Sequence, residues 1–552
     1  MRLIKPFKNI LTLALIMLSA ALMAWSWIDF RCFLSIWFGY ALFFLLTARL
    51  QGWRSFLTGG AIGLGVCFIA FHWVPSAFRA TSNSGVPFSR ALFCVMLAWE
   101  ATPFAITAAF ASRQLRLSTR RAWRIPVLWV ALETFWPKVF PWTVAHTQTD
   151  AAAFLQIAEI VGLAGVSFVF ISITVLPSLF FIPAFPDAVS QSERPLNKTR
   201  NEKKWRFAYA IVCVVMLGGT LGFGFERLNY WERRFSSENT VRTAVIQVVP
   251  HKGDSVAKAR IQTLAIEEHL DLALWPESML GAHSQDLRDF KDESVTRHHS
   301  FPPFGDLHPT YGLPCEILVG GKTFGSDARK RKGPFCQTAF LVNPEEVIVA
   351  HYKKRSLMPV GEYVPGEKIM PFLRTMADLR EESVTGSEAS PVRLQGGGQV
   401  GILLCYGDIA PDNARESVEE GAQLLVTLAN GSSFENPLTL EQHMRLALPR
   451  AIENRRYFAR STATGVSCVI SPTGKILQQA KPNCETTLVA DLPLLSAKTF
   501  YNRFGYWLAP CLLCFSIFWF VRGSHSWFRT HRKALHMLMK TQIGGSKKQE
   551  VR

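Results

Sequence analysis

The 552-residue chain has no disulfide framework. Its 11 cysteines are scattered, four of them (Cys32, Cys67, Cys94 and Cys213) in or beside early apolar runs, which excludes a small scaffold stapled by bridges. The glycine run Gly396 to Gly398 lacks the Lys-Ser/Thr ending of a phosphate loop, so no nucleotide site is assigned. Metal-ligand spacing is also missing. Cys511-x-x-Cys514 stands inside an apolar run without a second pair, and His283, His298, His299 and His308 follow no ligand pattern, so neither metal nor cofactor is expected. The first apolar run is not followed by a convincing small-residue cleavage site, and Ile10 to Ile28 therefore reads as an uncleaved helix rather than a signal peptide. Charge is sparse, at 18% of residues, and acidic side chains are outnumbered 42 to 60. The net charge of +18 could suggest nucleic acid, but Lys and Arg collect in short segments beside apolar runs. That is how cytoplasmic loops are marked, and no nucleic-acid partner is expected.

What the chain has in quantity is apolar side chains, 49% of the total with 16 Trp and 41 Phe. Its length exceeds one ordinary core, and a membrane protein with an attached globular domain fits. After the first run come Phe33 to Ala48, Phe56 to Val74, Ala91 to Phe110, Ile125 to about Phe140, Ile157 to Ile182, and Phe207 to about Phe225. Basic loops follow the second, fourth and sixth runs, the fourth by Arg113, Arg116, Arg120, Arg121 and Arg124. With the N-terminus inside, all of them fall on the cytoplasmic side. Pro126, Pro137, Lys138 and Pro141 make the fifth run a candidate broken or re-entrant helix. The expected organisation is a transmembrane bundle of about seven helices over 1–225, an outer domain over 226–503, a last span over 504–521, and a basic cytoplasmic tail over 522–552.

Within the outer domain, strand-like segments alternate with helical ones, which predicts an α/β sheet with helices outside. The strand candidates are Thr243 to Val249, Leu272 to Trp275, Glu316 to Gly320, Thr338 to Val342, Gln399 to Leu404, Leu424 to Leu428 and Val466 to Ile470. Helices are expected over Ser255 to Leu270, Asn413 to Gly421 and Leu440 to Tyr457. Arg380 to Gly398 reads as an irregular insertion or mobile loop. Three strand-like segments end in chemistry-bearing turns. Leu272 to Trp275 leads through Pro276 into Glu277, Val347 to Ala350 leads into Lys354, and Val400 to Leu404 delivers Cys405. Singly these would be a surface carboxylate, a solvated lysine and a packing thiol. Together they suit acyl transfer: a base for the thiol proton, a cation for the thiolate and the oxyanion, and a nucleophile.

The chain resembles the nitrilase superfamily in the version found in apolipoprotein N-acyltransferases. The likeness rests on Trp275-Pro-Glu277, Tyr352-x-Lys354-x-x-Leu357-x-Pro359-x-Gly361-Glu362 and Cys405-Tyr406. It continues in Gln442-His443-x-x-x-Ala447-x-x-Arg450-Ala451-x-Glu453-x-x-Arg456 and Arg460-Ser461-Thr462. It also reaches the membrane part, through Trp129-x-x-x-Glu133, Phe140-Pro141-Trp142 and Gly162-x-x-Gly165-Val166-Ser167-Phe168. The resemblance implies an αββα sandwich and a ping-pong transfer in the bacterial inner membrane, with the catalytic domain facing the periplasm. An acyl chain passes from a phospholipid, typically phosphatidylethanolamine, to a Cys405 thioester, and then to the α-amine of a diacylglyceryl-cysteine apolipoprotein. It implies Glu277 as general base, Lys354 as oxyanion stabiliser and Glu362 as the carboxylate that orients Lys354 or the thiol, with Tyr406 and Asp408 in support. The family usually carries Glu two residues after the nucleophile. This chain has Gly407 and then Asp408, so either Asp408 takes over part of that role or the carboxylate is dispensable. The alternatives are a membrane-anchored amidase, in which water resolves the thioester, and a non-catalytic scaffold.

Overall fold

The computed structural model describes residues 4–81, 85–181, 196–234, 239–250, 255–280, 310–324, 334–370, 372–376, 382–434, 436–515 and 517–518. His283, His298, His299, His308 and the basic tail lie outside them. The apolar runs form helices α1 (Ile4–Ile28), α2 (Ser35–Ala48), α3 (Trp53–Ala70), α4 (Val74–Thr81), α5 (Val86–Leu117), α6 (Arg124–Phe135), α7 (Ala152–Leu155), α8 (Ala158–Phe181) and α9 (Leu196–Arg234). Among the described residues, five of these (within α1, α3, α5, α8 and α9) are long and apolar enough to cross a membrane. At about 1.5 Å per residue, the 14 residues of α2 and 12 of α6 fall short of a hydrocarbon core of ~30 Å. Trp136-Pro137 ends α6, so the fifth apolar run is helical only in its first part, and Val139 to Trp142 continue as irregular chain. Of the eighth run, 508–515 and 517–518 are helical. Gly162 breaks α8 at a φ of +61°, where an added Cβ would lie 2.8 Å from the Tyr501 ring; a left-handed, crowded position of this kind suits glycine alone.

From residue 240 onward two six-stranded sheets are built. The elements are β1 (Thr240–Gln247), α10 (Ser255–Leu264), β2 (Leu272–Leu274), β3 (Glu316–Phe324), β4 (Phe335–Val342), β5 (Ile348–Lys353), α11 (Phe372–Met376), β6 (Val392–Arg393), β7 (Gln399–Leu404), α12 (Pro411–Glu419), β8 (Leu424–Asn430), α13 (Pro437–Ala447), α14 (Pro449–Asn454), β9 (Phe458–Ala463), β10 (Cys468–Ile470), β11 (Ile476–Gln479), β12 (Thr486–Pro493) and α15 (Phe500–Phe504). One sheet runs β12-β1-β2-β3-β4-β5 and the other β11-β10-β9-β8-β7-β6. The strands at the heart of each, β1-β2-β3 and β7-β8-β9, are parallel.

Alternation decides the layers, since successive strand residues face opposite ways. Val245, Leu272, Leu274, Ile402, Leu404 and Val426 pack between the sheets. Ala244, Ile246, Ala273 and Ile317 turn outward onto Val256 and Ala259 of α10. On the far side, Leu403, Leu425 and Phe458 join α12, α13 and α14 in a core continuous with the membrane helices. The domain is therefore an αββα sandwich.

Several boundaries differ from the sequence reading. The stretch read as one helix from Leu440 to Tyr457 is two, because Pro449 begins α14 and Arg455 closes it in the left-handed region. The stretch from Arg380 to Gly398 is mostly irregular where it is described, as expected, apart from the two-residue β6, and its glycines turn the β6–β7 hairpin, with Leu394 N donating to Gly398 O. Its earlier part lies along the first sheet, where Gly386 N donates to Lys354 O at 2.8 Å. Strand β9 escaped notice because Arg460, Ser461 and Thr462 look exposed but are buried.

Candidate active site

Three strand ends bring the chemistry together. Glu277 follows β2 and is 5% exposed, Lys354 follows β5 at 2%, and Cys405 follows β7 at 9%. The Lys354 ammonium lies 3.3 Å from Glu277 Oε1 and 2.7 Å from Glu362 Oε1. The second Glu362 oxygen accepts from Met358 N at 2.7 Å, which fixes the carboxylate between the lysine and its own turn. The Cys405 thiol lies within electrostatic reach of both Glu277 and Lys354. Cys405 holds a φ of +46°, in the left-handed region, at the head of a short 3-10 turn through Asp408. A non-glycine residue held there is strained, and that strain is characteristic of positions where a nucleophile must project from a strand end.

The electrostatics follow from burial. Desolvation pushes the Glu277 carboxyl above its usual range, against the pull of Lys354 and with the push of Glu362. Burial works against the Lys354 charge, but Glu277 and Glu362 outweigh it and hold the ammonium well above its usual pKa. The Cys405 thiol is pushed up by burial and then by Glu277, which Lys354 offsets in part. The resting site is thus a neutral thiol beside a carboxylate able to take its proton, with a fixed cation at hand.

The backbone at Glu277 depends on glycine. A Cβ at Gly320 would sit 2.6 Å from Glu277 Cα and 2.9 Å from Ser278 N, atoms that cannot move without moving the carboxylate. Gly320→Ala should therefore slow alkylation of Cys405 by iodoacetamide by about tenfold to a hundredfold, the scale at which small misplacements disable catalytic groups. Peptide mass spectrometry resolved at Cys405 reads this directly, and an unchanged rate would show that the carboxylate does not activate the thiol.

The supporting residues separate. Glu362 belongs to the ion cluster. Tyr406 reaches the bundle, its hydroxyl donating to Val139 O at 2.7 Å. Asp408 faces away from Lys354: fully buried, it accepts from His443 Nε2 and Arg460 Nε, each at 2.8 Å. Burial opposes the Asp408 charge, but His443 and Arg460 prevail and hold its pKa below the usual value. Of three apolar residues near the motif loops, Met358 alone lines the cavity at Cys405; Met279 packs against α10's core and Phe372 is exposed.

That cavity encloses about 520 Å³ of empty space, its open mouth included. The bundle supplies Trp27, Phe71, Trp73 and Phe140; the sandwich supplies Met358, Tyr406, Phe434, Leu446, Gln442 and His443. Gln442 joins the halves, donating to Trp27 O at 2.9 Å and Ala70 O at 3.0 Å and accepting from Trp73 Nε1 at 2.9 Å. Trp27, Phe71 and Trp73 are among the lining residues that sequence reasoning missed, since an aromatic in a membrane run carries no sign that it faces a thiol more than 300 residues away in the chain.

Fold and site together define a carbon-nitrogen hydrolase domain with a cysteine-based active site, joined to a helical membrane bundle. Residues 256–501 match the carbon-nitrogen hydrolase model. Residues 19–176 match the apolipoprotein N-acyltransferase N-terminal domain. Curated relatives that match most of the chain are named apolipoprotein N-acyltransferase. The chain is 26% identical to the apolipoprotein N-acyltransferase of Geobacter metallireducens, over 85% of this chain and 87% of the relative. With that of Bdellovibrio bacteriovorus the identity is 25%, over 82% and 83%. Among solved structures, an amidase from Nesterenkonia sp. aligns at 21% identity and a TM-score of 0.32, covering 48% of this chain and 94% of its own. Saccharomyces cerevisiae Nit3 aligns at 18% and 0.32, over 46% and 90%.

Proposed function

We propose that the protein N-acylates lipoproteins: it moves an acyl chain from a phospholipid, through a Cys405 thioester, to the α-amine of a diacylglyceryl-cysteine apolipoprotein. The observation that carries this reading is the position of the nucleophile. Cys405 opens into a mostly apolar cavity walled by membrane helices and sandwich together, where an acyl chain can lie while its ester reaches the thiol. The curated relatives bear that activity in their names, and neither a water-resolved amidase nor a scaffold is favoured by them.

In the first half-reaction Glu277 takes the Cys405 proton and the thiolate attacks the ester carbonyl carbon. Lys354, held by Glu362, stabilises the oxyanion. Glu277 returns the proton to the leaving lysophospholipid oxygen as the tetrahedral intermediate collapses to the thioester. In the second half-reaction the amine attacks the thioester carbon, the C–N bond forms as the C–S bond breaks, and Glu277 carries the amine's proton to the departing thiolate. Phosphatidylethanolamine is the donor we favour. The basic loops after the second, fourth and sixth runs support a sandwich on the periplasmic side of the inner membrane, with 1–225 and 504–521 as the spanning parts and 522–552 as cytoplasmic tail. Exposed Ile369, Met370 and Phe372 beside the sandwich's motif loops suit contact with lipid.

Purified protein should be incubated with phospholipid and then with a diacylated lipopeptide bearing a free α-amine, with Cys405→Ala in parallel. The expected result is an acyl adduct on Cys405 that disappears as the lipopeptide gains one chain, and nothing from the alanine variant. An adduct discharged only to water would replace this reading with the amidase.

A further inference from the structure

Cys405, Glu277, Lys354 and Glu362 do not account for every polar group at the cavity. His443, on α13, forms part of the same wall as Cys405. Its Nε2 lies 2.8 Å from Asp408 Oδ1, and the other Asp408 oxygen is occupied by Arg460 Nε at 2.8 Å. An ionised carboxylate can only accept, so Nε2 carries a proton, and in the neutral ring Nδ1 is the nitrogen with the lone pair. Nδ1 has no hydrogen-bond partner among the described residues. His443 thus brings to a mostly apolar wall one basic ring, oriented by a buried acid.

The second half-reaction has a use for such a nitrogen. An α-amine has a reference pKa of ~7.7–8.0 and arrives at neutral pH mostly as an ammonium, which cannot attack a carbonyl carbon. Between arrival and amide it must give up two protons. We propose that His443, oriented by Asp408, accepts the first of them, making the incoming α-ammonium a nucleophile; the inference rests on the acyl-transfer reading above. The first proton passes from nitrogen to His443 Nδ1. The neutral amine then attacks the thioester carbon, the C–S bond breaks, and the second proton goes to Glu277 and from there to the departing Cys405 thiolate. The imidazolium discharges its proton to water, so charge and atoms balance. Arg460 has a different part: it keeps Asp408 ionised and turned toward the ring. Of the titratable and charged groups about this ring, Asp408 is bonded to it, Cys405 and Tyr406 line the same cavity, Arg460 from β9 holds the other Asp408 oxygen, and Glu441 and Arg445 stand on its own helix.

The test compares the two half-reactions in the full-length protein. Acyl enzyme is first formed with phospholipid and then discharged either by the diacylated lipopeptide or by hydroxylamine, a nucleophile that is already neutral near pH 7. In His443→Gln the ratio of lipopeptide transfer rate to adduct-formation rate should fall about 10²-fold at pH 7, the scale of general base catalysis. The deficit should shrink as the pH passes the α-amine's own pKa, and hydroxylamine should discharge the variant's adduct as it does the wild type's. An unchanged ratio, an equal loss with hydroxylamine, or a deficit constant across pH would each overturn the proposal. If the variant forms no adduct, the wild type decides. Its transfer to lipopeptide should stay fast below the pKa of the free α-amine; a rate that tracks the free amine's ionisation rules out a proton acceptor in the site. Failure of the acyl-transfer reading looks different, since the wild type would then form no adduct or lose it to water alone.

Discussion

Lys354→Met is expected to lower the rate of Cys405 acylation by about 10³-fold and to move the acid limb of its pH profile upward. Loss of one fixed oxyanion stabiliser is by itself typically worth about 10²–10³ in rate. The second effect comes from Glu277. In the proposed mechanism acylation requires this carboxylate to be ionised, so the rate should fall as pH drops through its folded pKa, which burial and Glu362 raise above the ordinary carboxylate value of ~4.3. Lys354, 3.3 Å away, is what opposes that rise. Without it, burial and Glu362 act unopposed, less Glu277 is ionised at neutral pH, and the limb shifts to higher pH. Methionine keeps the length of the side chain and fills the same space, so folding should survive and detergent-solution melting can verify it. Rates of adduct formation between about pH 5 and 9 measure both effects; a lowered rate with an unmoved limb would mean that Lys354 does not govern the base.

Asp408→Ala should destabilise the sandwich by about 3–5 kcal/mol, because it leaves the Arg460 guanidinium buried with Val466 O but without its counter-charge. In a domain of this size that is a fall on the order of 10 °C in melting temperature. The sign with pH follows from the lowered folded pKa of Asp408. Its contribution is present above the unfolded value of ~3.9 and is lost only as pH falls through the folded one, so the full penalty is expected at neutral pH. Adding Arg460→Met should recover part of the loss, since removing both members of a buried pair costs far less than removing one. A double variant no more stable than the single one would show that Arg460 is satisfied by other groups.

The parts of this site visible in the sequence are those that end a strand. Glu277, Lys354 and Cys405 each close a short apolar run, and both the runs and the sharp residue after each can be read locally. The alternation of β7 with α12 and of β8 with α13 was legible for the same reason. Asp408 was visible as a residue but not as a direction. Whether it turns to Lys354 or to Arg460 depends on β9, whose polar residues conceal a buried strand. Gln442 and His443 stood out as a pair, yet their separate tasks, one holding the bundle and one facing the cavity, arise only from the packing of α13 between the halves. The Gly396–Gly398 run was read by composition as slack, and its hydrogen bonds make it a hairpin.

The cavity wall has a consequence for how such a chain can vary. Phe71, at the end of α3, and Phe434, after β8, are 363 positions apart in the sequence and line the same space. A change of size at either alters one shared volume, so the two halves cannot drift independently, although one is shaped by lipid and the other by water. Exchanging the sandwich for that of a distant relative would carry over the nucleophile intact and still deliver it to a chamber cut to another pattern.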